Sequence, residues 1–227
     1  SGDYGVTLLV QNLTIELGGK ITANGTGYTI TDTDNPSGNG GTGTGESGGS
    51  GGANGGFGGE GVAADPNPAA PGGIAYGNAE IPIMLGGSGG NSGTGGLGGS
   101  GGGAIKIVAT ENVAIYGSLT ANGLDGVTDN SSSGGGGAGG SIWIESNALA
   151  GNGLVQAIGG ISQTVQYGGG GGGGGRIIMF CNVSNTFTGS YSVAAGDPIS
   201  GQEGGVCSIS GATCRPSVPT VLKQVKI

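Results

Sequence analysis

Apolar and polar residues alternate in four short blocks along the chain, and each block runs into a glycine corner followed by a second, shorter apolar run. The first reads Val6-Thr7-Leu8-Leu9-Val10, then Gly19-Lys20-Ile21-Thr22-Ala23-Asn24-Gly25. The second pairs Ala104-Ile105-Lys106-Ile107-Val108 with Gly117-Ser118-Leu119-Thr120-Ala121-Asn122-Gly123. Ser141-Ile142-Trp143-Ile144 leads to Gly153-Leu154-Val155-Gln156-Ala157-Ile158-Gly159, and Arg176-Ile177-Ile178-Met179-Phe180 to Gly189-Ser190-Tyr191-Ser192-Val193-Ala194-Ala195-Gly196. A period of two puts alternate side chains on opposite faces, so Ile142 and Ile144 share one face and Trp143 and Glu145 the other, as in a half-buried strand. Nowhere does a helical period persist, and an all-β chain is expected.

The later copies begin at Ile105, Ile142 and Ile177, a spacing of roughly 36 residues that falls in the range of solenoid units. The pattern of strand, corner, strand and glycine excursion predicts a parallel β-helix-like repeat stack with polyglycine excursions. A β-sandwich or jelly roll is the alternative, because two sheets packed face to face produce the same alternation.

Glycine supplies 62 of the 227 residues, without the strict third-position repeat that a collagen triple helix needs. The tracts Gly134–Gly140 and Gly168–Gly175 have two readings, a flexible linker or extended polyglycine packed against its neighbours. The second is expected, because segments without Cβ atoms approach closely enough for backbone N–H groups to reach carbonyls on adjacent segments. Between the first and second copies lies a low-complexity insertion, about residues 28–103, with the proline-rich piece Asp65-Pro66-Asn67-Pro68-Ala69-Ala70-Pro71. The domain expectation is one all-β glycine-rich unit over 1–215, followed by a basic strand or tail over 216–227.

The run Gly134–Gly140 before Ser-Ile-Trp-Ile, then Gly151-Asn152-Gly153, Ala157-Ile158-Gly159-Gly160, and Gly168–Gly175 before Arg176-Ile177, resembles large glycine-rich repeat proteins of plant, protist and bacterial surfaces and fibres. Tyr76-Gly77-Asn78 through Leu85-Gly86-Gly87-Ser88-Gly89-Gly90 to Gly103-Ala104-Ile105-Lys106 looks similar, so the likeness spans roughly residues 72 to 180. It implies a secreted or surface-exposed structural role with no active site to carry over. This chain departs from that family in being short and in carrying a cysteine loop and a basic tail.

Charged residues make up 9% of the chain and histidine is absent, which leaves little for acid–base chemistry near neutral pH, so no catalytic residue, metal site or cofactor is expected. The formal charge of −8 is uneven: Arg215, Lys223 and Lys226 lie in a terminal stretch free of Asp and Glu. The body ahead of that stretch carries the remaining three basic residues and all 14 acidic ones, which disfavours nucleic acid as a partner. No apolar run reaches the length of a membrane span, and Ser1 reads as the start of a processed, extracellular or cell-surface chain.

Sequons at Asn12, Asn24, Asn130 and Asn182 are candidates for covalent N-glycans. Cys207 and Cys214 flank a loop short enough for a disulfide, while Cys181, at the end of the Ile177–Phe180 strand, is expected as a buried thiol. Asp32-Thr33-Asp34-Asn35 lacks the downstream glutamate of an EF-hand and reads as a solvated turn. Trp143, Tyr116 and Tyr191 could stack on sugar, although packing against glycine is the simpler role for Trp143, and Glu111 and Glu145 read as solubilising residues. After Pro219 the tail becomes a strand, Val221, Leu222, Lys223, Gln224, Val225, Lys226, Ile227, with Val221, Val225 and Ile227 on one face. The expected function is a structural, non-enzymatic subunit of an extracellular filament or sheath, a homopolymer assembling head to tail as this strand adds to the next subunit's edge, for example Val6–Val10. A monomeric cell-surface adhesin or carbohydrate-binding module is the alternative.

Overall fold

The computed structural model describes residues 5–32, 38–129, 131–163, 165–196 and, for the backbone, 210–214. The chain is all-β, with no helix among these residues and hence none long and apolar enough to cross a membrane. The four alternating blocks are long strands: β1 (Val6–Ile15), β3 (Ala104–Ile115), β7 (Ser141–Gly151) and β9 (Arg176–Phe187). Each is followed past its corner by a three-residue strand: β2 (Lys20–Thr22), β4 (Ser118–Thr120), β8 (Leu154–Gln156) and β10 (Ser190–Ser192). The long strands form one parallel sheet in the order β1-β3-β7-β9-β11, closed by β11 (Ser210–Cys214), and the short ones a second parallel sheet in the order β10-β8-β4-β2. A small antiparallel pair, β5 (Thr128–Asp129) and β6 (Ser132–Ser133), stands apart.

Register explains why the repeat is needed. Val6, Ile105, Ile142 and Ile177 lie opposite one another across successive strands, as do Leu8, Ile107, Ile144 and Met179. In the short sheet Ile21, Leu119, Val155 and Tyr191 form the corresponding ladder. A slip of one residue would turn each ladder to the opposite face. Side chains of the two sheets meet in one core, in which Ile107, Val113, Leu119, Ile144, Leu149 and Val155 are fully buried.

The glycine tracts are ordered by hydrogen bonds that follow a period of three. Gly134, Gly137 and Gly140 donate to Val127, Leu124 and Ala121; Gly135 and Ala138 donate to Gly90 and Gly87; Gly136 and Gly139 donate to Gly170 and Gly173. Successive N–H groups thus point to three different neighbouring segments, as an extended helix with three residues per turn requires. The insertion follows the same rule: Gly48 and Gly51 bond to Val62 and Gly59, Gly49 and Gly52 to Ser133 and Gly136, and Ser50 and Ala53 to Gly41 and Gly38. It is therefore woven into the bundle, and its proline-rich piece takes part, since Gly41 donates to Pro71 at 3.0 Å. Absence of side chains is what permits this spacing: a Cβ placed on Gly136 would collide with the Gly160 carbonyl.

Candidate assembly edge and surface sites

β1 is the terminal strand of the long sheet, paired with β3 alone among the described strands. Its outward residue Leu9 is 75% exposed and Val6 is 57% exposed. The inward residues Leu8, Val10 and Leu13, with Ile21 of β2, are partly exposed although they pack on the core, whereas Ile107, Val113 and Leu119 on the next strands are sealed. At this edge of the two sheets the apolar interior is only partly covered. At the opposite end β11 lies along the first half of β9, and Tyr191 of β10 remains 43% exposed.

Beside the β1 edge lies a groove of about 200 Å³, floored by Thr7, Leu9, Lys106 and Val108 and walled by Pro82 and Ile83. The wall is held from behind by a polar network. Arg176 is buried, and its Nη1 donates to the Tyr76 carbonyl and, at 3.1 Å, to Asn54 Oδ1. The Tyr76 hydroxyl donates to the Leu85 carbonyl, and Ser141 Oγ to the Met84 carbonyl at 2.6 Å. The Tyr76 end is thereby tied to β9 and, through Arg176, to Asn54 of the glycine bundle, and the Met84 end to β7. The Nε of Arg176 is buried without a hydrogen-bond partner. This clamp was not foreseen; its one sequence signal is an arginine in the place that Ala104 and Ser141 take in the earlier copies.

Glu111, read from sequence as a solubilising residue, bridges the first two long strands. Gln11 Nε2 donates to its Oε1 at 2.7 Å and Asn12 Nδ2 to its Oε2 at 2.9 Å. The Asn12 bond, then the Gln11 bond, favour the charged form and hold the carboxyl below its ordinary pKa. Aligning the copies, which sets Asn12 against Asn112, would have brought this group out.

The sequons differ in their surroundings. Asn12 is exposed, but its amide turns back onto β3, with Oδ1 accepting from Asn112 Nδ2 at 2.8 Å. Asn24 is exposed and uses Oδ1 to accept the Asn122 N–H at 2.8 Å. Asn182 is exposed and donates to Asn147 Oδ1 at 3.2 Å. Asn130 lies outside the described residues, as do Cys207, Asp34, Asn35 and all of residues 216–227 expected to form the assembly strand. Asp32 Oδ2 accepts from the Thr29 N–H and hydroxyl at 2.6 and 2.9 Å, closing a turn.

The cysteine expectation is corrected. Cys181 is disulfide-bonded. The chain holds two other cysteines, so a Cys207–Cys214 bond cannot form in the same molecule; the β9/β11 register sets Cys214 opposite Cys181.

The three aromatic residues do not converge. Trp143 stands on the outer face of the long sheet with Lys106 Nζ 4.6 Å from its ring centroid and Phe180 at 5.9 Å, edge-on. It thus makes a cation–π and an edge-on ring contact, and its Nε1 is buried without a hydrogen-bond partner. Tyr191 belongs to the short sheet, and Tyr116 sits at the corner after β3, in a shallow depression of about 350 Å³ with Leu17, Lys20, Ser118, Asn152 and Ser190. Comparison with protein-family models, curated proteins and solved structures gives no match.

Proposed function

We propose that the chain is a structural subunit of an extracellular filament or sheath and that it assembles head to tail, with residues 216–227 of one copy adding as a strand to the β1 edge of the next. In this reading the two parallel sheets are walls of a β-helix-like stack and each sequence copy is one rung. The observation that carries it is the β1 end of the long sheet: among the described strands β1 pairs with β3 alone, Leu9 and Val6 are exposed, and the inward residues Leu8, Val10, Leu13 and Ile21 are only partly buried. Solenoid stacks ordinarily close such ends with a polar cap. A heterologous contact that does not close into a ring propagates as a filament. The basic tail and acidic body are complementary in charge. Glycans on exposed sequons such as Asn24 and Asn182 would clothe the outside of such a fibre, consistent with an extracellular or cell-surface setting.

Electron microscopy of the protein isolated from its native source under non-denaturing conditions tests this reading. Regular filaments are expected; a population of dispersed monomers alone would overturn it. The depression around Tyr116 favours a second reading, a carbohydrate-binding module, because an exposed aromatic ring beside Asn152, Ser118 and Lys20 suits a sugar. Strong binding by a monomer on a glycan array, lost on Tyr116→Ala, would support that alternative.

A further inference from the structure

We infer that the acceptor on β1 fixes one register for its partner: a second copy's Val221–Ile227 adds parallel to β1 with Val221 opposite Val6, Val225 opposite Val10 and Lys226 opposite Gln11, where the lysine meets the Glu111 carboxylate. This rests on the head-to-tail reading and specifies where the donor strand lands.

Three observations converge on that register. Every neighbouring pair in the long sheet is parallel, so a strand that continues it runs parallel to β1. Pro219 lacks an N–H and suits only the start of a paired stretch or a position whose nitrogen faces away from β1, which favours the residues after it as the ladder. The added strand must also continue the inward ladder Val6, Leu8, Val10. Placing Val221 and Val225 at its two ends satisfies this, with Lys223 between them extending its amine past the open edge into water. An inward-pointing charge of that kind is a usual feature of a strand with nothing beyond it. Shifting by one residue would turn Leu222, Gln224 and Lys226 inward and the valines out.

The opposite face then matches as well. Leu222 falls beside Thr7, over the groove formed with Leu9, Pro82 and Ile83. Lys226 reaches the position of Gln11, whose Nε2 already contacts Glu111. The irregularity between Val10 and Asn12 does not disturb this alignment: Val10 and Asn12 of β1 pair with Ala109 and Asn112, so the extra residue belongs to β3. Glu111 is exposed, and its hydrogen bonds favour the ionised form that a lysine would meet. Moving the donor two residues along β1 in one direction lays Lys226 over the apolar groove at Leu9; in the other it brings Gln224 to Gln11 and leaves Glu111 without a cation.

The test is a charge reversal in the full chain: Glu111→Lys, Lys226→Glu, and both together, with strand content checked by circular dichroism and filament formation followed by sedimentation and electron microscopy. Each single reversal replaces an attraction by a repulsion and is expected to raise the concentration needed for assembly about fivefold to tenfold. The double reversal is expected to return it to within about twofold of the parent. If the double variant is as impaired as the singles, or the singles assemble like the parent, while removal of residues 215–227 still abolishes filaments, this register is wrong although head-to-tail assembly stands. If that removal has no effect, the register and the head-to-tail reading fall together.

Discussion

The backbone N–H of Gly136 donates to the carbonyl of Gly170 at 2.9 Å, joining two glycine tracts that lie on either side of β7 and β8 in sequence. This contact is one of many of its kind, and together they convert the least ordered-looking part of the sequence into a bundle. The energetic logic is that many of its residues satisfy backbone N–H and C=O groups on neighbouring segments, which offsets the entropy that glycine loses on ordering.

Gly136→Ala should therefore destabilise the fold by about 3 kcal/mol or more, since the methyl would collide with the Gly160 carbonyl and backbone cannot yield as a side chain does. Gly18→Ala is the contrast. Gly18 has open space around it but a φ of +80°, so its cost should be that of the left-handed conformation, about 1 kcal/mol. Urea denaturation of the two variants checks the order.

In the core, Ile144→Ala should cost about 3–4 kcal/mol, because Ile144 is fully buried between Ile107 and Met179 in its ladder. Leu9→Ala, at a residue 75% exposed, should cost well under about 1 kcal/mol in the monomer. Thermal unfolding measures both, and a large loss at Leu9 would mean that the β1 edge is covered within the subunit.

Arg176→Met retains length and removes the donors to Tyr76 and Asn54. It should loosen the 76–85 segment, raising hydrogen exchange there well above the parent's while the ladder amides of β3 and β7 stay protected. Equal protection in the two proteins would show that the segment does not depend on the clamp.

Glu111 should titrate below the ordinary glutamate range by carbon-detected NMR. Its folded pKa is lowered, so the stability it contributes is present above the unfolded-state pKa and is lost as pH falls through the folded one. Asn12→Ala removes the first of the two causes and should move the titration back upward.

Strand positions were legible in the sequence because alternation and β-branching carry a local signal. The blocks at Val6, Ile105, Ile142 and Ile177 became β1, β3, β7 and β9, and each short run after a glycine corner became a short strand. The partners of the glycine segments were not legible. Glycine has no side-chain periodicity, and which carbonyl Gly49 or Gly136 meets is decided by segments far away in the chain. That is why residues 28–103 read as an excursion although they are structural. The Cys181 disulfide was missed for a related reason: the short Cys207–Cys214 spacing was a local signal, whereas the strand register that brings Cys214 opposite Cys181 is not. The candidate site was half visible. The alternation of Val6–Val10 marks a strand, one example of an acceptor edge, whereas the groove wall at Pro82 and Ile83 is set by the fold and the Arg176 clamp left only its place in the repeat as a signal.

The most direct measurement is electron microscopy of the full chain beside a chain ending at Cys214, both under assembly conditions. The account predicts filaments from the first and dispersed subunits with unchanged strand content from the second. Filaments of equal number and length from the shortened chain would contradict it.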